Sequence, residues 1–294
     1  GMRLSEVAPD LAKQTVADAV TIGVMSQPED ICLLRHDGSG KNAFKNPLSF
    51  RYLDDNFIES DAVKIGKTFM DYLKKTKDPR IHVYCSLKDG NTEFDKQFGL
   101  PNGYDSHTIA DAPSGSFVGL ENTSNFNINT ILRLDAPTIF LMPSETKLLL
   151  AEAVLRNWTN GNAEVLYKEA ITSSMKEQEI AYGTQGKITD EEIETYLAQN
   201  LLSTANNTEK LQIIGEQYWV ATFINGYESY ANWRRTGYPK LIPTNYSGSM
   251  SPGVIPTRLP YPTDEYSINR ANVDTANQQQ GADKVTTHIW WDID

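Results

Sequence analysis

The chain of 294 residues is 39% hydrophobic and 22% charged, which is enough apolar content for one large domain or two ordinary ones. Its net charge of −11 argues against a nucleic-acid partner, because a phosphate-binding surface needs a basic stripe. No apolar run approaches the roughly 20 residues that cross a bilayer, and two cysteines, Cys32 and Cys85, are too few for a disulfide scaffold or a zinc cluster.

The first 80 residues predict a helical segment. Pro9 suits the first turn of a helix whose apolar face continues until Gly23. A second helix is predicted over about 60–75, where apolar side chains are mixed with lysines, and Asp78-Pro79-Arg80 ends it.

Residues 81–135 predict a loop-rich insertion. Ile81 to Cys85 reads as a short strand, and the following residues are rich in Gly, Asn, Ser and Asp without a sustained period. A loop of this length is unusual inside a compact domain and is often a binding element.

Residues 136–235 carry the strongest helical pattern. Ser144 is predicted to cap a helix that runs to Trp158, and an Asn-Gly-Asn turn leads into a second helix that starts at Ala163. The pair has the length of the ~34-residue tetratricopeptide unit, and an ordinary antiparallel helix pair is an equal alternative from the residues alone.

Two further helices complete this region. Thr189 and Glu192 form a capping box for a helix that runs to about Leu202, and a helix is predicted over about 208–225. No fixed repeat period is visible, so the sequence predicts an interrupted solenoid.

A last helix carries aromatic side chains on one side, at Tyr227, Tyr230 and Trp233. These aromatic side chains could form a platform that binds a sugar, or they could pack the helix onto its neighbours. Packing is favoured, because large aromatic residues at helical spacing usually belong to the core.

The C-terminal segment, 236–294, is predicted to be irregular, and it contains a dense motif. A helix ends in two guanidinium groups at Trp233-Arg234-Arg235-Thr236-Gly237-Tyr238-Pro239, a proline-rich run follows at Ile255 to Pro262, and Trp290-Trp291-Asp292 comes near the end. The residues of this motif are Trp233, Arg234, Arg235, Gly237, Pro239, Arg258, Tyr261, Trp290, Trp291 and Asp292.

This motif resembles the C-terminal region of the SusD/RagB family of outer-membrane lipoproteins, which capture nutrients for Bacteroidetes. The resemblance implies a mainly helical fold of tetratricopeptide-type hairpins with a long loop-rich insertion and few short strands. It also implies that the motif maintains the fold, with Asp292 available to an arginine, because family members with different ligands share it.

The resemblance further implies a non-catalytic binding protein on the extracellular face of the outer membrane. Such a protein delivers an oligosaccharide or peptide to a SusC-like TonB-dependent transporter and is held to the membrane by a lipid anchor that this chain lacks. We therefore expect residues 1–294 to be the C-terminal portion of a longer protein.

The same resemblance points to the loop-rich 81–135 segment as the part that faces the ligand. Glycans present flat C–H faces to aromatic rings and hydroxyls to amides and carboxylates. The candidate ligand-binding residues are Tyr104, His107, Asn102, Asp105 and Tyr84. Phenylalanines in the same segment are expected to pin the loop to the core.

Motifs for catalysis and for cofactors are missing from the sequence. The histidines sit in unrelated contexts, and neither H-E-x-x-H nor G-x-S-x-G occurs. No cofactor is expected, and a structural calcium held by loop Asp and Asn side chains stays open, although no EF-hand loop is present. Two alternatives also stay open: an extracellular glycan-degrading enzyme on a helical scaffold, and a helical-repeat adaptor without a small ligand.

Overall fold

The computed structural model describes residues 1–54, 64–105, 107–202, 206–246 and 248–292. These residues form eleven α-helices and four short strands. The prediction of a mainly helical fold with few short strands is therefore confirmed. Within these residues, no helix is both long enough and apolar enough to cross a membrane.

Three helices occupy the N-terminal region. Helix α1 (Pro9–Ile22) starts at Pro9 and ends at Gly23, whose φ of 114° favours glycine. Helices α2 (Pro47–Asp54) and α3 (Lys67–Thr76) follow. The helix predicted over 60–75 is confirmed from Lys67 onward, and residues 60–63 of that prediction lie outside the described residues.

The strand predicted from Ile81 to Cys85 is wrong. Residues Ile81–Tyr84 form a single helical turn, α4, and only Cys85–Ser86 is a strand, β2, which pairs antiparallel with β3 (Asn125–Phe126). The turn starts from Asp78, whose carboxylate accepts a hydrogen bond from the backbone N–H of Arg80 at 3.0 Å. This local hydrogen bond stabilises a helical turn in place of β-strand pairing. The apolar pattern alone, which predicted the strand, does not contain that bond.

A small antiparallel pair leads into the helical hairpin. Strand β1 (Cys32–Leu34) pairs with β4 (Thr138–Leu141), and the chain then enters α5 (Pro143–Leu155). Helix α6 (Ala163–Tyr182) packs along α5, so the predicted hairpin is present. Asn162 caps α6 through two backbone N–H groups.

Ser144 does not cap α5, which corrects the prediction. The cap position is Met142, and Pro143 occupies the first helical turn. The Ser144 hydroxyl and backbone N–H instead donate to the Glu177 carboxylate on α6, at 2.6 and 2.9 Å. Ser144 therefore joins the two helices of the hairpin.

Three more helices extend this layer: α7 (Asp190–Gln199), α8 (Asn207–Ala221) and α9 (Gly226–Thr236). The capping box of Thr189 and Glu192 is confirmed, although α7 ends three residues before the predicted Leu202. Helix α8 packs against α5, α6 and α9, and it therefore lies at the centre of the helical layer.

The C-terminal segment is more regular than predicted. It contains α10 (Thr263–Ile268) and α11 (Arg270–Gln280). Helix α11 buries only Val273, and an exposed ion pair between Arg270 and Asp274 lies along it at 2.9 Å. A helix with so little apolar surface shows no apolar period, which is why the pattern missed it.

The end of α9 is tied to α5 by a buried ion pair. The guanidinium of Arg235 donates to both oxygens of Glu152 at 2.6 and 2.7 Å and also to Asn232 Oδ1 at 2.7 Å. Both charged side chains are almost fully buried. Gly237 then turns the chain with φ of 65°.

The other arginine of the motif holds the C-terminal segment. Arg234 donates to the carbonyl of Thr257 at 2.9 Å, and its guanidinium lies over the rings of Tyr230 and Trp291 at 4.3 and 4.7 Å. Arg258 pairs with Asp283 at 3.0 Å. The same carboxylate accepts from the backbone N–H of Tyr261.

The tail of the motif differs from the prediction in two respects. Trp291 is buried, but Trp290 is 66% exposed, so its ring does not belong to the core. Asp292 is buried and pairs with His288 at 3.2 Å rather than with an arginine. Among the described contacts, Arg234 reaches the neighbouring Trp291 ring instead.

Candidate functional site

The loop of residues 99–105 is fixed at the N-terminus of α3. The backbone N–H of Lys67 donates to the carbonyl of Leu100, and that of Leu100 donates to Ile65, each at 2.7 Å. A Cβ on Gly99 would lie 2.4 Å from the Cα of Lys67. Only glycine permits this approach, so backbone contacts hold the loop against α3.

A second loop, residues 241–246, packs against the first. Gly103 has φ of 86°, and a Cβ there would lie 2.8 Å from Cβ of Thr244. The hydroxyl of Tyr246 donates to Asp105 Oδ2 at 2.5 Å. These two contacts join segments more than a hundred residues apart and leave a groove beside them.

Asp105 organises the turn between the loops. Its Oδ1 accepts from the backbone N–H groups of His107 and Thr108 at 2.8 and 2.9 Å. The hydrogen bond from Tyr246, followed by these backbone bonds, holds the pKa of the Asp105 carboxyl well below its usual range. The same bond raises the pKa of the Tyr246 hydroxyl.

One part of the groove, here called the Tyr104 cavity, has a volume of about 540 Å³. Among the side chains that line it, those with an aromatic, amide or hydroxyl group suit a sugar. Its lining residues are Lys67, Thr68, Asp71, Pro101, Asn102, Gly103, Tyr104, Pro113, Ser116, Ile242, Pro243, Thr244 and Asn245. Lys67 and Asp71 bind each other at 2.6 Å.

The adjoining part, here called the Trp219 cavity, has a volume of about 530 Å³. Its walls come from α3, α8 and the segment after α9. It is lined by Gly66, Thr68, Phe69, Asn102, Gly103, Trp219, Leu241, Ile242, Pro243, Thr244, Ser249, Ser251, Val254, Ile255 and Pro256. The two cavities share six residues: Thr68, Asn102, Gly103, Ile242, Pro243 and Thr244.

Trp219 is held firmly at its end of the groove. The indole meets the buried ring of Phe69 edge to face, with centroids 4.9 Å apart, and it meets Tyr72 in the same way at 5.9 Å. The Phe69 ring in turn stacks on Phe223 at 4.3 Å. Trp219 is half-buried, so part of a fixed aromatic surface faces the cavity.

The predicted ligand-binding residues separate into three groups. Asn102 and Tyr104 lie together in the groove. Asp105 and His107 lie beside it, where Asp105 is engaged with the turn and His107 is exposed. Tyr84 is only 3% exposed and its hydroxyl donates to the carbonyl of Val220 at 3.3 Å, so its proposed contact with a ligand is wrong.

Trp219 and the whole 241–246 loop were not predicted from the sequence as parts of the site. One signal was available: Trp219 falls one position beyond Tyr218, outside the apolar stripe of Ile214, Tyr218 and Ala221. A large aromatic side chain off the buried stripe of a helix indicates a second contact surface. For residues 241–246 there was no such signal, because only the fold brings them to Gly103.

Chemically, the groove offers flat apolar surfaces bordered by amide and hydroxyl groups, together with the ion pair of Lys67 and Asp71. Such a lining suits a ligand with both C–H faces and hydroxyls. In the described parts of the chain, no three His, Cys, Asp or Glu side chains gather to hold a metal ion. The predicted calcium site, which would also use Asn side chains, stays a prediction.

Comparison with solved structures shows a common fold. A chitin-binding protein is 30% identical and superposes with a TM-score of 0.82, over 100% of this chain and 62% of its own. A protein described as Bacteroidetes AC2a SusD-like is 24% identical, with a TM-score of 0.83 over 100% and 67% of the two chains. A SusD homologue from Bacteroides fragilis is 25% identical, with a TM-score of 0.74 over 99% and 64%.

These comparisons define an α-helical SusD-type fold, and the sequence itself gives the family. The sequence profile of SusD-like proteins, described as SusD and RagB outer membrane lipoprotein, matches residues 1–292. The chain belongs to the SusD-like family, as the resemblance of its C-terminal motif predicted. It spans about 62% of the length of the chitin-binding protein. A comparison with curated proteins gives no match.

Proposed function

We propose that this chain is the part of a non-catalytic surface protein that holds an oligosaccharide in the groove between the 99–105 and 241–246 loops. The observation that carries the proposal is the 30% identity to a chitin-binding protein over the entire chain. A sugar ring lying against Tyr104 would place its hydroxyls near the amide of Asn102, both of which line the Tyr104 cavity.

Binding is favoured over hydrolysis by the state of the nearby carboxylates. A glycosidase needs two carboxyl groups placed across its substrate, one of them free to give a proton. Asp71, which lines the Tyr104 cavity, is bound to Lys67, and Asp105 accepts a hydrogen bond from Tyr246. Both carboxylates are therefore already engaged.

We further propose delivery to a SusC-like TonB-dependent transporter, on the extracellular face of the outer membrane. The family description, an outer membrane lipoprotein, supports this location. Peptide cargo is the alternative that the resemblance leaves open.

Isothermal titration of the 294-residue chain with chitin oligosaccharides tests the binding. Saturable heat with unchanged oligosaccharide length supports a binding protein. Shortened products would support the enzyme alternative, and binding of peptides alone would support the other cargo.

Affinity capture of the intact, tagged protein from outer membranes tests the partner. Recovery of a TonB-dependent transporter in a fixed ratio supports delivery. Recovery of the protein without any transporter, under conditions where the transporter is expressed, would contradict it.

A further inference from the structure

The lining of the Trp219 cavity carries no charged side chain. All of its residues among the described ones are apolar, aromatic, hydroxyl-bearing, amide-bearing or glycine. Charged residues make up 22% of the chain, and the net charge is −11. The overall composition therefore does not account for the uncharged lining, which is a property of this particular surface.

The rest of the groove is also neutral in effect. The Tyr104 cavity contains one cation and one anion, Lys67 and Asp71, and these neutralise each other at 2.6 Å. Asp105, which lies beside the groove, already accepts from Tyr246 and two backbone N–H groups. No arginine is among the residues that line either cavity in the described part of the chain.

An acidic sugar needs an unpaired cationic donor, and among the described residues that line this groove the cation is Lys67, which is paired with Asp71. Carboxylate and sulfate groups are recognised by charge-assisted hydrogen bonds from arginine or lysine, and arginine is preferred for its paired donors. Lys67, the cation that lines the Tyr104 cavity, already donates to both oxygens of Asp71, whose negative charge offsets its own. The negative net charge of the chain also opposes the approach of an anion.

Besides Lys67, the N-terminus of α3 favours an anion, because it lies at the groove and helix N-termini attract negative charge. Its Lys67 N–H already donates to the carbonyl of Leu100 at 2.7 Å. This end of the helix is therefore partly satisfied by the 99–105 loop.

An uncharged sugar matches both cavities. The fixed indole of Trp219 offers a flat surface at one end, and Tyr104 offers another at the other end. The six shared residues make the two cavities continuous, and each volume falls in the range of about 300–1,000 Å³ that is typical of small-molecule sites. The shape therefore suits a chain of several sugar rings.

We propose that the groove selects uncharged oligosaccharides and rejects acidic ones, with one sugar ring stacked on Trp219 while a neighbouring part of the same chain contacts Tyr104. This inference rests on the proposed glycan binding and goes further, since it assigns the ligand class and a second aromatic contact.

Oligosaccharides with a β-1,4-linked backbone give the sharpest test, because the glucan and the glucuronan differ only in carrying a hydroxymethyl group or a carboxylate at C5 of each ring. The 294-residue chain is titrated with chitin hexamers, with β-1,4-glucan hexamers and with β-1,4-glucuronan hexamers, in which each C6 is a carboxylate. Binding of one or both neutral hexamers, at least tenfold tighter than the glucuronan in about 0.15 M salt, is the expected result. Equal or tighter binding of the glucuronan overturns the proposal while glycan binding itself stands.

Substitutions in and outside the groove then test where the ligand binds. Trp219→Ala should weaken binding of the neutral hexamer at least tenfold, and Trp219→Phe should weaken it less. Ile242→Ala, at a side chain that is 92% exposed and lines both cavities, should weaken it about threefold without a folding defect. Tyr227→Ala removes an aromatic ring that is 91% exposed and outside both cavities, and it should leave the Kd unchanged.

The outcomes are distinct. If Trp219→Ala does not fold, Ile242→Ala decides the location. If the folded variants at both positions bind like the parent, the groove is not the site and the proposal is wrong. If no hexamer of either kind binds, the proposed function itself fails.

Discussion

The same kinds of side chain occur in two regions of this molecule and have different roles there. At the end of α9, Arg235 and the aromatic ring of Trp291 are buried, Arg234 is half-buried, and both arginines bond to distant parts of the chain. In the groove, Tyr104 and Trp219 are half-buried, and the polar residues that line both cavities, Thr68, Asn102 and Thr244, are exposed. The contrast teaches that the partner of a side chain, more than its type, separates a structural residue from a candidate ligand contact.

The largest effect is expected at Arg235. Arg235→Ala should lower the free energy of unfolding by about 3 kcal/mol, because the buried Glu152 carboxylate loses its bidentate partner and keeps the bond from Arg156 to its Oε1 at 2.8 Å. Urea unfolding followed by circular dichroism measures the change. Arg270→Ala, which breaks an exposed pair on α11, is the matched control and should cost at most about 0.5 kcal/mol. Equal stabilities of the two variants would show that the buried pair at the end of α9 contributes no more to the fold than the exposed pair on α11.

A second test uses pH. Burial, followed by the charges of Glu228 and Glu177, raises the pKa of Glu145 from 4.5 to about 8. Between these values the folded state keeps a proton that the unfolded state releases, so stability should fall as pH rises from about 4.5 to about 8. At about 1.4 kcal/mol per pKa unit, the part due to Glu145 is on the order of a few kcal/mol.

Replacing Glu145 by Gln should remove that loss, because Gln keeps the neutral shape at every pH. Melting temperatures measured at pH 5, 6.5 and 8 should then vary less for Glu145→Gln than for the parent chain. Glu29→Gln, at an exposed position, is the control and should keep the parental profile. A parental slope in the Glu145 variant would show that other groups cause it.

Arg234 should have a smaller effect than Arg235. Arg234→Ala removes one hydrogen bond to the Thr257 carbonyl and two contacts with aromatic rings, at a cost of about 1–2 kcal/mol. Denaturant unfolding measures it. A loss of glycan affinity with unchanged stability would instead assign Arg234 to a ligand site, and the end of α9 would then not be purely structural.

The smallest effect is expected in the groove. Tyr104→Ala should weaken glycan binding by about 1 kcal/mol, the value of one aromatic contact, and leave the melting temperature unchanged. Titration and thermal unfolding of the same preparation measure both. Tyr227→Ala is the control, and weaker binding in that variant alone would move the site to the aromatic side of α9.

The α-helical hairpin was predictable, because its two helices carry apolar residues at helical spacing and the partner of each helix is its neighbour in sequence. The capping box of Thr189 and Glu192 was predictable for a similar reason, since a cap and its target lie three residues apart. Local patterns gave wrong predictions where a side chain contacts residues distant in sequence. Ser144 donates to Glu177 on the next helix instead of capping its own, and Tyr84 is buried in the core.

By itself, the sequence determined the family, the helical class and the special status of the motif at Trp233 to Pro239, because these depend on residue types and local spacing. The tertiary structure alone decided that Trp219, Asn102 and Thr244 share one groove, since these residues are far apart in the chain. It also decided which aromatic and charged side chains are buried. Burial depends on what packs against a residue, and no local pattern contains that information.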